Sequence, residues 1–134
     1  MTALAFDFGT RHIGLAVGQS LTCTANPVGV IPARDGQPDW AEVARHIADW
    51  APDLLLVGLP LNMDGSESEL STRARKFARR LQGRLGLTVK MMDERLSTRE
   101  AKAATGQRRR LVDAQAAQLI LQTWLEEPER ALLP

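Results

Sequence analysis

Asp7 lies in Leu4-Ala5-Phe6-Asp7-Phe8-Gly9, a run that otherwise reads as a buried strand, with no Lys or Arg within three residues on either side. A carboxylate taken out of water is costly unless it is paired or coordinated. Asp7 therefore needs a partner from far along the chain or a metal ion. Counting 100° per residue, Asp113 shares a helix face with Ala117, Ile120 and Trp124, while Gln115, Gln118 and Gln122 line the other side, so its carboxylate points inward. Taken alone, it suits a helix start as well as a site. Asp93 and Glu94 stand where an apolar strand runs out, and alternation sends them to opposite faces, so one of the two can join Asp7. The plainer reading of that pair is two solvated acids answering Lys90 and Arg95. Three converging acids require a counter-ion, and hard carboxylate oxygens suit Mg²⁺ or Mn²⁺. Two such ions about 3.5 to 4 Å apart can activate water and stabilise the leaving oxygen of a phosphodiester.

The elements that must position these acids follow from pattern. Leu4–Phe8, Gly14–Gln19 and Val28–Ile31 read as three strands of an antiparallel meander, separated by Gly, Thr, Asn and Pro. Asp39 with Glu42 resembles a capping box, and Trp40, Val43, Ala44, Ile47 and Ala51 fall at helical spacing. Leu54-Leu55-Leu56-Val57 is continuously apolar, as in a parallel strand covered on both faces. A second helix is expected to start near Ser66, with Glu69 three residues on, and to bury Leu70, Ala74, Phe77, Ala78, Leu81 and Leu85. A strand over Thr88–Met92, a short helix starting at Ser97 and a final helix from Val112 to Leu125 complete the order, with residues 126–134 expected as a frayed tail. The expectation is one α/β domain over residues 1–134: a mixed five-stranded sheet, three strands antiparallel and two parallel, with helices on both faces. Sites in such sheets form at the carboxyl ends of the parallel strands, which selects the segments after Asp7, Val57 and Met92.

Charge supplies something for the acids to act on. From Arg73 to Arg110 there are ten Arg and three Lys against three acids, a local charge of +10 in a chain whose net charge is +1. That split suits a polyanion, and the preference for Arg suits bidentate phosphate contacts; the bland alternative is a solvated helix face. Arg73, Lys76, Arg80 and Arg84 form a stripe on the second helix, expected to hold the strand being cut. No basic region precedes an apolar run near the start, and no stretch is apolar enough to span a membrane, so a cytoplasmic protein without a membrane partner is expected. Cys23 reads as structural, His12 and His46 as surface residues, and the three Trp as helix core.

Phe6-Asp7-Phe8-Gly9-Thr10-Arg11-His12-Ile13-Gly14, Val57-Gly58-Leu59-Pro60-Leu61-Asn62-Met63-Asp64-Gly65, Asp93-Glu94-Arg95-Leu96-Ser97-Thr98 and Asp113-Ala114-Gln115-Ala116-Ala117, in that order, resemble the YqgF proteins, also called RuvX. The resemblance spans nearly the whole chain. It implies an RNase H-like fold related to the RuvC resolvases and a nuclease acting in 5′-end maturation of pre-16S ribosomal RNA, with Holliday-junction cleavage as the alternative. By the same resemblance Asp7, Glu94 and Asp113 are the catalytic and metal-binding acids, Glu94 being favoured over Asp93. Gly9 and Gly14 shape the turn beside the metals, Gly58 and Pro60 fix the neighbouring loop, and Asn62 is a polar contact near the scissile phosphate. Arg11, Arg95 and Arg99 look like substrate clamps. The segment Thr105-Gly106-Gln107-Arg108-Arg109-Arg110 departs from the family in being shorter than its Gly- and Lys-containing loop, although Arg108, Arg109 and Arg110 retain the positive charge.

Two other classes compete. Asp-Phe-Gly-Thr also opens the phosphate-binding hairpin of sugar kinases, actin and Hsp70-type ATPases, but those place nucleotide between two domains and 134 residues supply one. An RNase H-like binding module that grips structured RNA or DNA without cutting it is the second, while the nuclease resemblance implies structured RNA, pre-16S rRNA or a pre-ribosomal particle as partner. Arg side chains read phosphates common to RNA and branched DNA, so both polynucleotides fit. Junction resolution needs two sites related by a two-fold axis and RNA trimming does not, so monomer and homodimer both fit.

Overall fold

A computed structural model describes residues 1–95 and 113–134. Six strands form one sheet in the order β4-β3-β2-β1-β5-β6. β1 (Thr2–Asp7), β2 (His12–Gln19) and β3 (Thr24–Arg34) are the antiparallel meander, and β5 (Leu54–Leu59) and β6 (Val89–Asp93) add to β1 in parallel. The strand beyond the five expected is β4 (Gln37–Pro38), which pairs with Ala33 and Arg34 at the end of β3. β3 itself is far longer than the expected Val28–Ile31. Pro27 and Pro32 suggested its ends, yet both lie outside the short pairing with β4, on a stretch of β3 where no second neighbour needs their missing N–H.

α1 (Trp40–Trp50) starts on Asp39, whose carboxylate accepts from the Ala41 amide; Glu42 pairs with Arg45 rather than closing the box. α2 (Glu69–Leu85) begins later than expected. Its cap is Ser68, which exchanges hydrogen bonds with Ser71, while the Ser66 hydroxyl is held by Asp64 at 2.6 Å. Ser71, rather than Leu70, is therefore the buried residue of the first turn, and Leu70 is exposed. Gly86 ends α2 in the left-handed region at φ 66°, a conformation that costs glycine little.

α1 and α2 cover one face of the sheet and α3 (Asp113–Glu126) the other. Val43, Ala74, Phe77, Ala78 and Leu81 pack on Leu4, Phe6, Leu55 and Met91; Ala117, Ile120, Leu121 and Trp124 pack on Ala3, Ala5, Leu56 and Met92. β5 is buried along its whole length, as a strand covered on both faces must be. Trp40 and Trp124 join the cores, whereas Trp50, at the end of α1, is exposed. The frayed tail expected over 126–134 is instead docked. A 3₁₀ turn at Pro128–Arg130 brings Leu132 beside Met91, with two backbone hydrogen bonds of 2.8 Å closing the outer edge of β6. No helix among the described residues is long and apolar enough to cross a membrane.

Candidate active site

Side-chain parity places the first acid. Ala3 and Ala5 lie on the α3 face of β1 and Leu4 and Phe6 on the other, so Asp7 continues the alanine row and points towards α3. The same rule separates Asp93 from Glu94. Met92 lies on the α3 face and Met91 on the opposite one, and the ladder persists one residue beyond β6 because the Glu94 amide donates to the Leu59 carbonyl at 3.0 Å. Glu94 therefore turns to Asp7. Asp93 turns away and is held by Arg95, whose guanidinium reaches it at 2.7 and 3.1 Å and whose amide adds a bond of 2.9 Å.

Asp7 and Glu94 share a hydrogen bond between carboxyl groups. Burial raises the Asp7 carboxyl from 3.8 to about 9, helped by the charge of Glu94, the hydrogen bond to it and the charge of Asp113. Burial also raises Glu94, with the charge of Asp93 adding and the bond to Asp7 opposing. Two desolvated like charges cannot both stay ionised, so without a cation the pair retains a proton. Asp113, half-buried in the first turn of α3, acts through its charge. Among the described residues no three His, Cys, Asp or Glu side chains stand close enough to hold one ion. The donor set that is present, two hard carboxyls with a proton a cation would displace, fits Mg²⁺ or Mn²⁺.

Glycines allow this approach. A Cβ on Gly58 would stand 2.6 Å from both Glu94 Oε1 and Ile120 Cδ1, so glycine there leaves the space that Glu94 occupies. On Gly14 it would run into the Asp113 backbone, and on Gly9 into the His12 carbonyl at the start of β2. Pro60 is fixed through its carbonyl, which accepts from the Ser71 hydroxyl. Sequence reasoning missed Ser71; the Ser-x-x-Ser spacing at 68 and 71 was the available signal. Asn62 is exposed, and its amide nitrogen donates to the Ser66 hydroxyl at 2.9 Å.

The expected clamps divide. Arg11 is exposed beside the turn. Arg95 is occupied: besides Asp93 it reaches the Met63 carbonyl at 3.3 Å, bracing the 62–65 loop against the end of β6. Arg99, Arg108, Arg109 and Arg110, like the helix expected from Ser97, lie outside the described residues. The α2 stripe is not brought to the acids, because α2 and α3 lie on opposite faces of the sheet. Arg73 is bound to the carbonyl and carboxylate of Asp35 at 2.7 and 3.0 Å, and Arg84 lies 4.4 Å from the centre of the Trp40 ring.

A family model described as "RuvX: Holliday junction resolvase" matches residues 1–127. A Marinobacter nauticus protein named "Putative pre-16S rRNA nuclease" is 55% identical over 131 residues, covering 92% of this chain and 92% of that protein. An Edwardsiella ictaluri protein of the same name is 54% identical over 136 residues, covering 96% and 97%. Among solved structures, T. thermophilus RuvC in complex with a Holliday junction substrate superposes with a TM-score of 0.60 at 17% identity, over 98% of both chains. The fowlpox virus resolvase bound to Holliday junction DNA gives 0.57 at 12% identity, over 96% of this chain and 99% of that one. At those identities the likeness shows the fold, an RNase H-like one.

Proposed function

Since the chain belongs to the RuvX family, we propose that it is a divalent-metal-dependent endonuclease that hydrolyses phosphodiester bonds in 5′-end maturation of pre-16S rRNA, acting in the cytoplasm. The observation that carries this reading is the hydrogen-bonded Asp7–Glu94 carboxyl pair brought together at the carboxyl edge of β1, β5 and β6. Asp7 and Glu94 would hold Mg²⁺ or Mn²⁺, and Asp113 would complete the negative field from the start of α3. When bound, the metal supplies a water of lowered pKa and neutralises charge on the phosphate; a pair of ions is the form this chemistry commonly takes. The chain's own residues arrange the rest. Gly58 leaves room for Glu94 to meet Asp7, α3 closes the inner side against bulk water, and Asn62 offers an amide to a phosphate oxygen. Water forms the new P–O bond, the bond to the leaving oxygen breaks, and the proton released by water balances the one that oxygen takes up.

Branched DNA is the second reading, favoured by the description of the family model. One assay separates the readings: cleavage of a precursor-RNA end and of a four-way DNA junction, side by side in Mg²⁺ and in Mn²⁺. The expected result is metal-dependent cutting of the RNA end, abolished by Asp7→Asn and by Asp113→Asn. Preferential cutting of the junction reverses the substrate assignment. Binding of RNA with no cleavage of either substrate identifies a non-catalytic module, and cleavage that survives Asp7→Asn removes the mechanism.

A further inference from the structure

We infer that α2 carries a second nucleic-acid contact, a phosphate-backbone track on the opposite face of the sheet from the acid pair; this rests on the nuclease reading above. Phe8 lines a groove of about 320 Å³ with Gly36, Gln37, Thr72, Lys76 and Arg80. Phe8 directly follows Asp7 and belongs to the core beneath α1 and α2, so groove and acids stand back to back across the end of β1. The ends of the stripe are held in place, Arg73 by Asp35 and Arg84 by the face of Trp40. That distinguishes it from a merely solvated helix face, whose long side chains lose rotamer freedom on meeting a ligand. Between these anchors Lys76 and Arg80 are one turn apart and make no ion pair among the described residues. The carboxylates at the groove are Asp35, already answered by Arg73, and Glu69.

From Arg73 to Arg84 the helix rises about 16 Å. At the axial rise of about 3.4 Å per nucleotide of a B-form strand that matches four to five phosphates, and an A-form RNA strand sets slightly more along the same length. Guanidinium and ammonium groups in a row read backbone charge and carry no base information, so the partner is the flank of a structured polynucleotide that bends around the sheet edge while its scissile bond faces Asp7 and Glu94.

The test compares Lys76→Gln/Arg80→Gln with its parent, both carrying Asp7→Asn so that nothing is cut. Binding is followed by fluorescence anisotropy across a salt series, using an RNA duplex with a single-stranded 5′ overhang and the isolated overhang strand. The duplex probe should lose about tenfold in affinity and its salt slope should fall by about two, while the isolated strand loses less than about twofold. Equal losses on both probes, no loss on either, or a parent that fails to bind the duplex would each overturn the track. The nuclease reading fails separately: a protein that binds with this dependence but, without Asp7→Asn, cuts no substrate keeps the track and loses the chemistry. Far-ultraviolet circular dichroism checks the fold, and Lys76→Glu, on the exposed side of α2, should weaken duplex binding further than Lys76→Gln if the track exists and equally if it does not.

Discussion

Asp7 has two roles that oppose each other in the metal-free chain: the burial that suits it to a cation also works against its charge. The unfolded chain releases the Asp7 proton near 3.8 and the folded chain keeps it to about 9. Between those values the folded state binds more protons, so stability in chelator falls as pH rises. Asp7→Asn stays neutral throughout and should add most stability at the alkaline end of that window, about 2 kcal/mol, and least at the acid end. Thermal melts in chelator that shift equally at both ends would assign the strain elsewhere. Mg²⁺ should raise the melting temperature of the parent and not of the variant. Arg95 makes the opposite case, a charged residue whose partners are internal. Arg95→Met releases Asp93 and the 62–65 loop, so kcat should drop about tenfold or more with KM little changed; a rise in KM at constant kcat would restore it as a substrate clamp. Asp7 was legible because an acid in an apolar strand needs a reason. The choice of Glu94 over Asp93 depends on register, set by the pairing of Gly58 with Met92 and of Leu59 with Asp93, and no spacing within β6 encodes that.

Elements meet at the site through glycines, and their neighbours decide what each tolerates. Gly58→Ala forces Glu94 or Ile120 to move, a cost of about 1–3 kcal/mol. Activity should fall further than stability, which paired denaturation and cleavage measurements would reveal; a proportional loss would mean that Glu94 has not moved. Gly83→Ala is its counterpart within α2. Nothing lies within 4 Å of that Cβ and the backbone is not left-handed, so the substitution should stabilise by about 0.5–1 kcal/mol in a denaturant titration. The helices and central strands were readable because burial imposes period on them. The long β3 was not, since a largely exposed strand carrying Pro27 and Pro32 shows neither alternation nor an apolar run. The start of α2 was misplaced for a related reason: Ser66 and Ser68 are both sound caps, and only the Asp64 hydrogen bond to Ser66 selects the later one.

Across the whole molecule, the sheet separates what the sequence runs together. Residues 73–110 form one basic stretch in the chain, yet α2 and the acids occupy different faces, so charge density along the sequence located a partner and not a single surface. The outer edge of β6 raises a further question, because a strand that carries a site acid at its end would otherwise present unpaired backbone to solvent. The chain answers it with its own last residues. Leu132 pairs with Met91, and Arg75 donates to the Leu133 carbonyl at 3.2 Å while also gripping Glu67 at 2.8 Å, so the strand edge, α2 and the loop before it are tied together beyond the residues that the family model matches. Deleting residues 128–134 removes both backbone bonds and the Arg75 contact and should cost about 1–3 kcal/mol, with self-association through the freed edge. Denaturant midpoints and light scattering measure the two effects. Because Glu94 follows β6 directly, metal affinity should weaken in the truncated chain as well; an unchanged midpoint and unchanged affinity would show that the Met91–Leu132 bridge contributes nothing to holding the acid in place.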